Sequence, residues 1–208
     1  MSFSFHRRPE NAVVTASGFP FRVRTFGRER SDQVLWYNLQ HHMIRVVYIG
    51  NMSLSYDLAT AVDAVLGDAE LTLDLAGAGP DETALRQRAA GCNRIRFHGY
   101  LAETALRALL AQADVGLVPM FDDSCVGVPY KLADYAAAGL PVASSLHGET
   151  ADLLERHVAG VTYTAGDPAA LRAAVRAAVG KRAGVAALAE AFDARKLYAG
   201  YVAFATAL

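Results

Sequence analysis

SCVGVPYKLADYAAAGLPV, residues 124–142, contains a loop, a helix start, an acidic residue one turn in, a glycine stop and the start of a strand. Pro129 suits the first turn of a helix, where its missing N–H costs nothing. Lys131 and Asp134 are three apart and take neighbouring positions on one helical face. Gly139 can adopt the left-handed conformation that ends a helix, and Pro141 blocks continuation. PVASS at 141–145 then reads as a short strand, and DVGLV at 114–118 as another buried one. In an open α/β sheet, a helix start just beyond a strand's carboxyl end is where anionic ligands usually sit.

The same alternation extends both ways. Upstream, VVYI at 46–49 is an apolar run that stops at Gly50 and fits a central parallel strand. A turn at 50–53 and helical spacing over 57–66 follow. LTLDLA at 71–76 is the next strand, closed by Gly77-Ala78-Gly79-Pro80, with Asp81 placed to cap a helix running to about 90. RIRF at 94–97 is a strand, His98 to Leu101 a turn, and about 103–112 a helix. Downstream come a loop at 146–150, a helix through Leu153 and Leu154, and a strand at 160–163. A helix capped by Asp167, with Pro168 in its first turn, runs to about 179. Two helical pieces split near Asp193 complete the chain, and Leu197, Tyr201, Phe204 and Leu208 share one face of the last. The expected fold class is α/β: a Rossmann-like parallel sheet of about six strands with helices on both faces and right-handed crossovers.

Residues 1–42 are less regular. Short strands are expected at 12–16, 21–24 and 34–37 with a turn at 18–20. Arg22, Arg24, Arg28 and Arg30 invite a phosphate or phospholipid reading, but a solvated, partly extended linker is favoured. The 208-residue chain is 53% apolar and carries a net charge of −1, which gives no electrostatic case for nucleic acid. Cys92 and Cys125 are too few for a disulfide framework and lack metal-ligand spacing. The first residues carry charges with no apolar core behind them, so a reducing, cytoplasmic setting is expected.

Several residues at strand ends have two readings. Gly50 and Asn51 form either a loop over phosphates or a plain turn. Gly77 and Gly79 either admit a ligand to the backbone or make an ordinary tight turn, the third glycine of a dinucleotide fingerprint being absent. Tyr100 either walls a nucleobase or packs half-buried. Asp134 could accept from a ribose diol, and Lys131 could pair with a phosphate or only with Asp134. His41, His42, His147 and His157 form no metal cluster in sequence.

Taken together, YIGN (48–51), LAGAGP (75–80), RIRFHGYL (94–101), ADVGLVPM (113–120) and VPYKLADYAAAGLPVASS (128–145) resemble the C-terminal, donor-binding domain of GT-B glycosyltransferases, especially retaining family four. The likeness covers about 45–208, with FDARKLYAGYVAF (192–204) similar to that family's closing helix. It implies one half of a GT-B fold binding a UDP-, GDP- or ADP-sugar without a metal. Tyr100 and Leu101 would contact the base and Asp134 the ribose. Ser124, Val126, Gly127 and Val128 would lie in the loop facing the diphosphate and sugar, with Gly50, Asn51, Gly77 and Lys131 completing the donor site.

The departures from the family pattern are specific. Val126 stands where the family has its first Glu, Asp134 replaces the second, and 51–57 lacks the usual Arg and Lys. Residues 1–44 resemble the end of an acceptor domain and its linker, so 45–208 would be the donor domain of an incomplete catalyst. An acceptor glycan or lipid-linked sugar would need a missing N-terminal domain or a partner chain. The apolar face of the last helix raises the expectation of a homodimer, and the expected location is cytoplasmic, peripheral to the inner membrane. The alternatives are a non-catalytic nucleotide-binding or regulatory subunit with a degenerate donor site and, more remotely, half of a nucleotide-sugar epimerase.

Overall fold

The computed structural model describes residues 43–196 together with Tyr198. The expectations for the N-terminal strands and arginines, and for the apolar face of the last helix, lie outside the described residues.

The strands β1 (Ile44–Ile49), β2 (Leu71–Ala76), β3 (Ile95–Gly99), β4 (Val115–Val118), β5 (Val142–Ser144) and β6 (Gly160–Thr162) form one parallel sheet. Their order is β3-β2-β1-β4-β5-β6. The connections are filled by α1 (Leu58–Leu66), α2 (Glu82–Arg88), α3 (Glu103–Ala111), α4 (Tyr130–Ala137) and α5 (Glu149–Arg156), and α6 (Pro168–Val179) and α7 (Val185–Ala191) follow β6. Among the described residues no helix is long and apolar enough to cross a membrane.

Period-two alternation in the strands makes two cores. Val46, Tyr48, Leu71, Leu73 and Leu75 pack with Leu58 and Val62 of α1 and with Leu171 and Val175 of α6. Val47, Ile49, Val118 and Val142 face the other way, onto Leu132 and Tyr135 of α4, Leu154 of α5 and Leu188 of α7. A sheet buried on both faces explains why its strands read as near-continuous apolar runs.

Small details of the ends differ from expectation. Pro129 is the extended residue before α4 rather than part of its first turn. Asp81 precedes α2 without a side-chain bond to it, whereas Asp57 caps α1 and Asp167 caps α6 through the Ala169 and Ala170 amides. Gly139, at φ +71°, ends α4 in the left-handed region.

The chain moves outward from β1 to β3, then returns to place β4 against the other side of β1. The loops leaving β1 and β4 therefore part from each other at the carboxyl edge. That divergence opens the crevice in which doubly wound sheets bind ligands. The two strands beside it are clamped by the Tyr135 hydroxyl, which accepts from the Ile49 amide at 3.1 Å and lies 3.1 and 3.2 Å from the Leu117 and Val47 carbonyls. Gly116 makes room for this, because a Cβ there would lie 2.5 Å from the Tyr135 ring.

Candidate functional site

The two loops flanking the crevice are tied at their base. Tyr56 bridges to Met120, and the Asp57 amide donates to the Pro119 carbonyl at 3.1 Å. The buried Asp57 carboxylate accepts from the Thr60 amide at 3.3 Å and the Gly166 amide at 2.7 Å. Ser145 accepts from the Met120 amide at 2.7 Å and donates to its carbonyl at 2.6 Å. Thr150, at the start of α5, donates to the Gly127 carbonyl and so holds the far end of the β4 loop.

Next to this base, the loops after β1, β2 and β3 continue the sheet's ladder as loop-to-loop bonds. Gly50 donates to Ala76 at 2.9 Å, Met52 to Ala78 at 3.0 Å, and Gly77 to Gly99 at 2.7 Å. Gly77 has φ +128°, and a Cβ on it would lie 1.9 Å from the Gly50 carbonyl oxygen. A Cβ on Gly79 would lie 2.2 Å from the Met52 carbonyl and 2.3 Å from Asn51 Oδ1. The close approach that requires glycine at 77 and 79 is thus of chain on chain. Gly77 is buried and seats the Gly50 loop.

Lys131 is the unusual group of the crevice. It projects from the first turn of α4 into the space beneath Gly50, only 7% exposed. Its Nζ stands 4.1 Å from the Tyr48 ring centre and 3.9 Å from that of Tyr56, and the two rings meet edge to face. Nζ has no hydrogen-bond partner. Burial pulls the ammonium's pKa down to about 7. The i,i+3 pair with Asp134 does not form: Lys131 is buried without a partner, while Asp134 is exposed. The Tyr48 hydroxyl donates to the Asn51 carbonyl, and burial keeps it protonated by raising its pKa far out of the neutral range.

The other candidate residues surround this point. Gly50 and Asn51 are exposed on the β1 loop. Tyr100 is 84% exposed and Leu101 half-buried on the β3 loop. Ser124 accepts from the Val126 amide at 3.3 Å, and Val126, Gly127 and Val128 are exposed. Pro129 offers α4 no side-chain cap, which leaves first-turn amides of that helix for a ligand. His147 is exposed beside Asp122 at 3.8 Å. Among the described residues no three His, Cys, Asp or Glu side chains gather to hold a metal.

Two features escaped the reading of the sequence. Tyr48 and Tyr56 form the cage around Lys131, although Tyr48 reads simply as an apolar strand residue. Asp74, buried in mid-strand, takes Arg96 through two bonds of 2.8 and 2.9 Å and His98 at 2.7 Å, with Arg45 at 3.9 Å. These side chains face a groove of about 400 Å³ that runs to Leu101 and α3. Alternation along β2 puts Asp74 on the face away from the leucines, but nothing in the sequence names its partners.

The model of the family described as glycosyl transferases group 1 matches residues 44–181. The amylovoran biosynthesis glycosyltransferase AmsK of Erwinia amylovora is 28% identical over 145 residues, which cover 64% of this chain and 35% of that protein. HepE of Anabaena, solved in complex with UDP and glucose, superposes with a TM-score of 0.67 at 17% identity, over 86% of this chain and 52% of that one. The catalytic domain of cholesterol-alpha-glucosyltransferase from Helicobacter pylori superposes with a TM-score of 0.57 at 15% identity, over 72% of this chain and 96% of that one. The chain therefore spans about a third of the curated relative and about half of HepE. At these identities the structural likenesses speak for the fold.

Proposed function

The chain belongs to the glycosyl transferases group 1 family, and on that premise we propose that it is the nucleotide-sugar binding half of a retaining glycosyltransferase. The donor is a UDP-, GDP- or ADP-sugar. Residues 45–208 form the donor domain, and 1–44 are the end of the acceptor-binding part with its linker. The acceptor, a glycan or lipid-linked sugar, is held by a further domain or partner chain.

The observation that carries this reading is the buried, unpartnered ammonium of Lys131 at the point where the strand order reverses. A cation is costly there unless an anion joins it, and an anionic ligand at the carboxyl edge supplies one. The base lies against Tyr100 and Leu101, and the ribose diol donates to Asp134. The diphosphate rests over Gly50 and Asn51, facing Lys131. The loop from Ser124 through Val126, Gly127 and Val128 faces the diphosphate and sugar. As the sugar leaves, charge develops on the diphosphate, and the amides at the start of α4, its helix dipole and Lys131 stabilise it. The names of HepE's ligands, UDP and glucose, support this donor class.

A second reading has its own observation. Val126 stands where the family's first Glu would contact the donor sugar, and among the described residues Lys131 is the one buried cation of the crevice. A binding or regulatory subunit with a degenerate site fits those facts. A thermal-shift panel with UDP, GDP, ADP and their sugars separates the two. Saturation at ~100 times Kd adds roughly 2.7 kcal/mol of stability. One base giving this shift, lost in Asp134→Ala, supports the donor half; no shift with any nucleotide supports the subunit.

A further inference from the structure

Strand β3 carries one residue more than β2 at its carboxyl end. Leu75 pairs with Phe97, but the next residue of β2, Ala76, pairs with Gly99. His98 is left over between them, the extra residue of a β-bulge. Its imidazole Nε2 lies 2.7 Å from Oδ1 of Asp74. A carboxylate paired with an arginine accepts, so Nε2 carries the hydrogen. Asp74 is only 2% exposed, and it takes two bonds from Arg96, the residue opposite it in register. One carboxylate thus holds β3 on both sides of Phe97, before the bulge and at it. A buried carboxylate is costly without such donors, which ties Arg96 and His98 to it.

The bulge fixes where β3 leaves the sheet. It brings the Gly99 carbonyl to the Gly77 amide at 2.7 Å. Gly99 then turns, at φ +63° and with open space around its missing Cβ, into exposed Tyr100 and half-buried Leu101. With the bulge withdrawn, His98 would stand beside Ala76 and Gly99 beside Gly77. Tyr100 and Leu101 would move outward by one residue, about 3.3 Å, and the faces of the strand would exchange from there on.

We propose that Asp74 and His98 are positioning residues for nucleobase recognition: their bridge pins the bulge that sets Tyr100 and Leu101 at the height where they meet the base. This deepens the donor-site reading and rests on it. Neither side chain touches the ligand; His98 acts through the backbone of Gly99.

Two measurements on the whole chain test it, with native protein, His98→Met and His98→Gln. Met fills the space of the imidazole without a donor, and Gln restores an N–H close to the place of Nε2. Hydrogen exchange without ligand should quicken at 99–101 in His98→Met, stay unchanged in β1 and β4, and return to native rates in His98→Gln. Titration calorimetry with UDP, GDP and ADP at one pH should show native protein preferring one base. His98→Met should bind that nucleotide about three- to tenfold more weakly, the worth of one hydrogen bond to the base, and the other two within about twofold of native. Discrimination among bases should therefore narrow in His98→Met and recover in His98→Gln. A merely structural role would weaken all three nucleotides alike, and that result overturns the inference. Unchanged exchange at 99–101, or native protein that binds the three bases equally, also overturns it and leaves the donor site standing. If no nucleotide binds native protein, the donor reading fails and this inference fails with it. Asp74→Asn keeps the shape and weakens the same anchor, and it should narrow the discrimination too, so the test does not depend on one variant folding.

Discussion

Replacing Lys131 by Met should stabilise the ligand-free protein, and do so most at low pH. Met preserves the apolar stem that fills the space beside Tyr48 and Tyr56 and removes the amine. An ordinary lysine titrates near 10.5, and burial brings Lys131 to about 7. That depression corresponds to about 5 kcal/mol of destabilisation once the amine is fully charged in both states. The folded-state pKa is the lower one, so between about pH 7 and 10.5 the unfolded chain binds more protons and stability rises with pH. Below pH 7 the whole cost is present, and above 10.5 it is gone. Between pH 6 and 9 native protein should therefore gain about 2 to 3 kcal/mol from this group, and Lys131→Met should lack that gain. Urea unfolding of both proteins at the two pH values, without ligand, measures the difference directly. A variant that is no more stable than native at pH 6, or that keeps the native pH slope, would refute the buried, unpaired lysine.

Three further perturbations follow from the packing. Gly77→Ala should destabilise by about 3 kcal/mol or more, because its Cβ would overlap the Gly50 carbonyl at 1.9 Å in a left-handed backbone; thermal unfolding reads this. Tyr135→Phe should lose about 1 to 3 kcal/mol in urea unfolding, since the buried groups of β1 and β4 would lose their shared partner. Asp57→Ala should cost about 1 to 2 kcal/mol at neutral pH by leaving the Thr60 and Gly166 amides without their acceptor, with circular dichroism melts as the readout.

The fold was largely legible because its strands are buried on both faces. VVYI, LTLDLA and DVGLV read as central strands without any knowledge of their neighbours, and Asp167-Pro168 marked a helix start by its local chemistry alone. What stayed hidden depends on contacts between distant segments. Gly77 reads from the sequence as a ligand-facing glycine or a tight turn, and the Gly50 carbonyl packed against it is visible only in the fold. Lys131 and Asp134 look like a surface pair by their spacing, yet Lys131 finds its surroundings on Tyr48 and Tyr56, far back in the chain. Asp74 looks like an interruption in an apolar strand, and only the pairing of β2 with β1 and β3 brings Arg45, Arg96 and His98 to it. Spacing within a helix or strand reports which face a residue is on, but the partner across the fold decides what that residue does.

The central claim is that a nucleoside diphosphate-sugar occupies the carboxyl edge between β1 and β4. Hydrogen exchange with and without the sugar that stabilises the chain in the nucleotide panel tests it most directly. The account predicts slowed exchange at 50–53, 99–101 and 124–134, with little change elsewhere. Protection centred instead on the groove beside Arg45, Asp74, Arg96 and His98, or no protection at the carboxyl edge with saturating ligand, would contradict it.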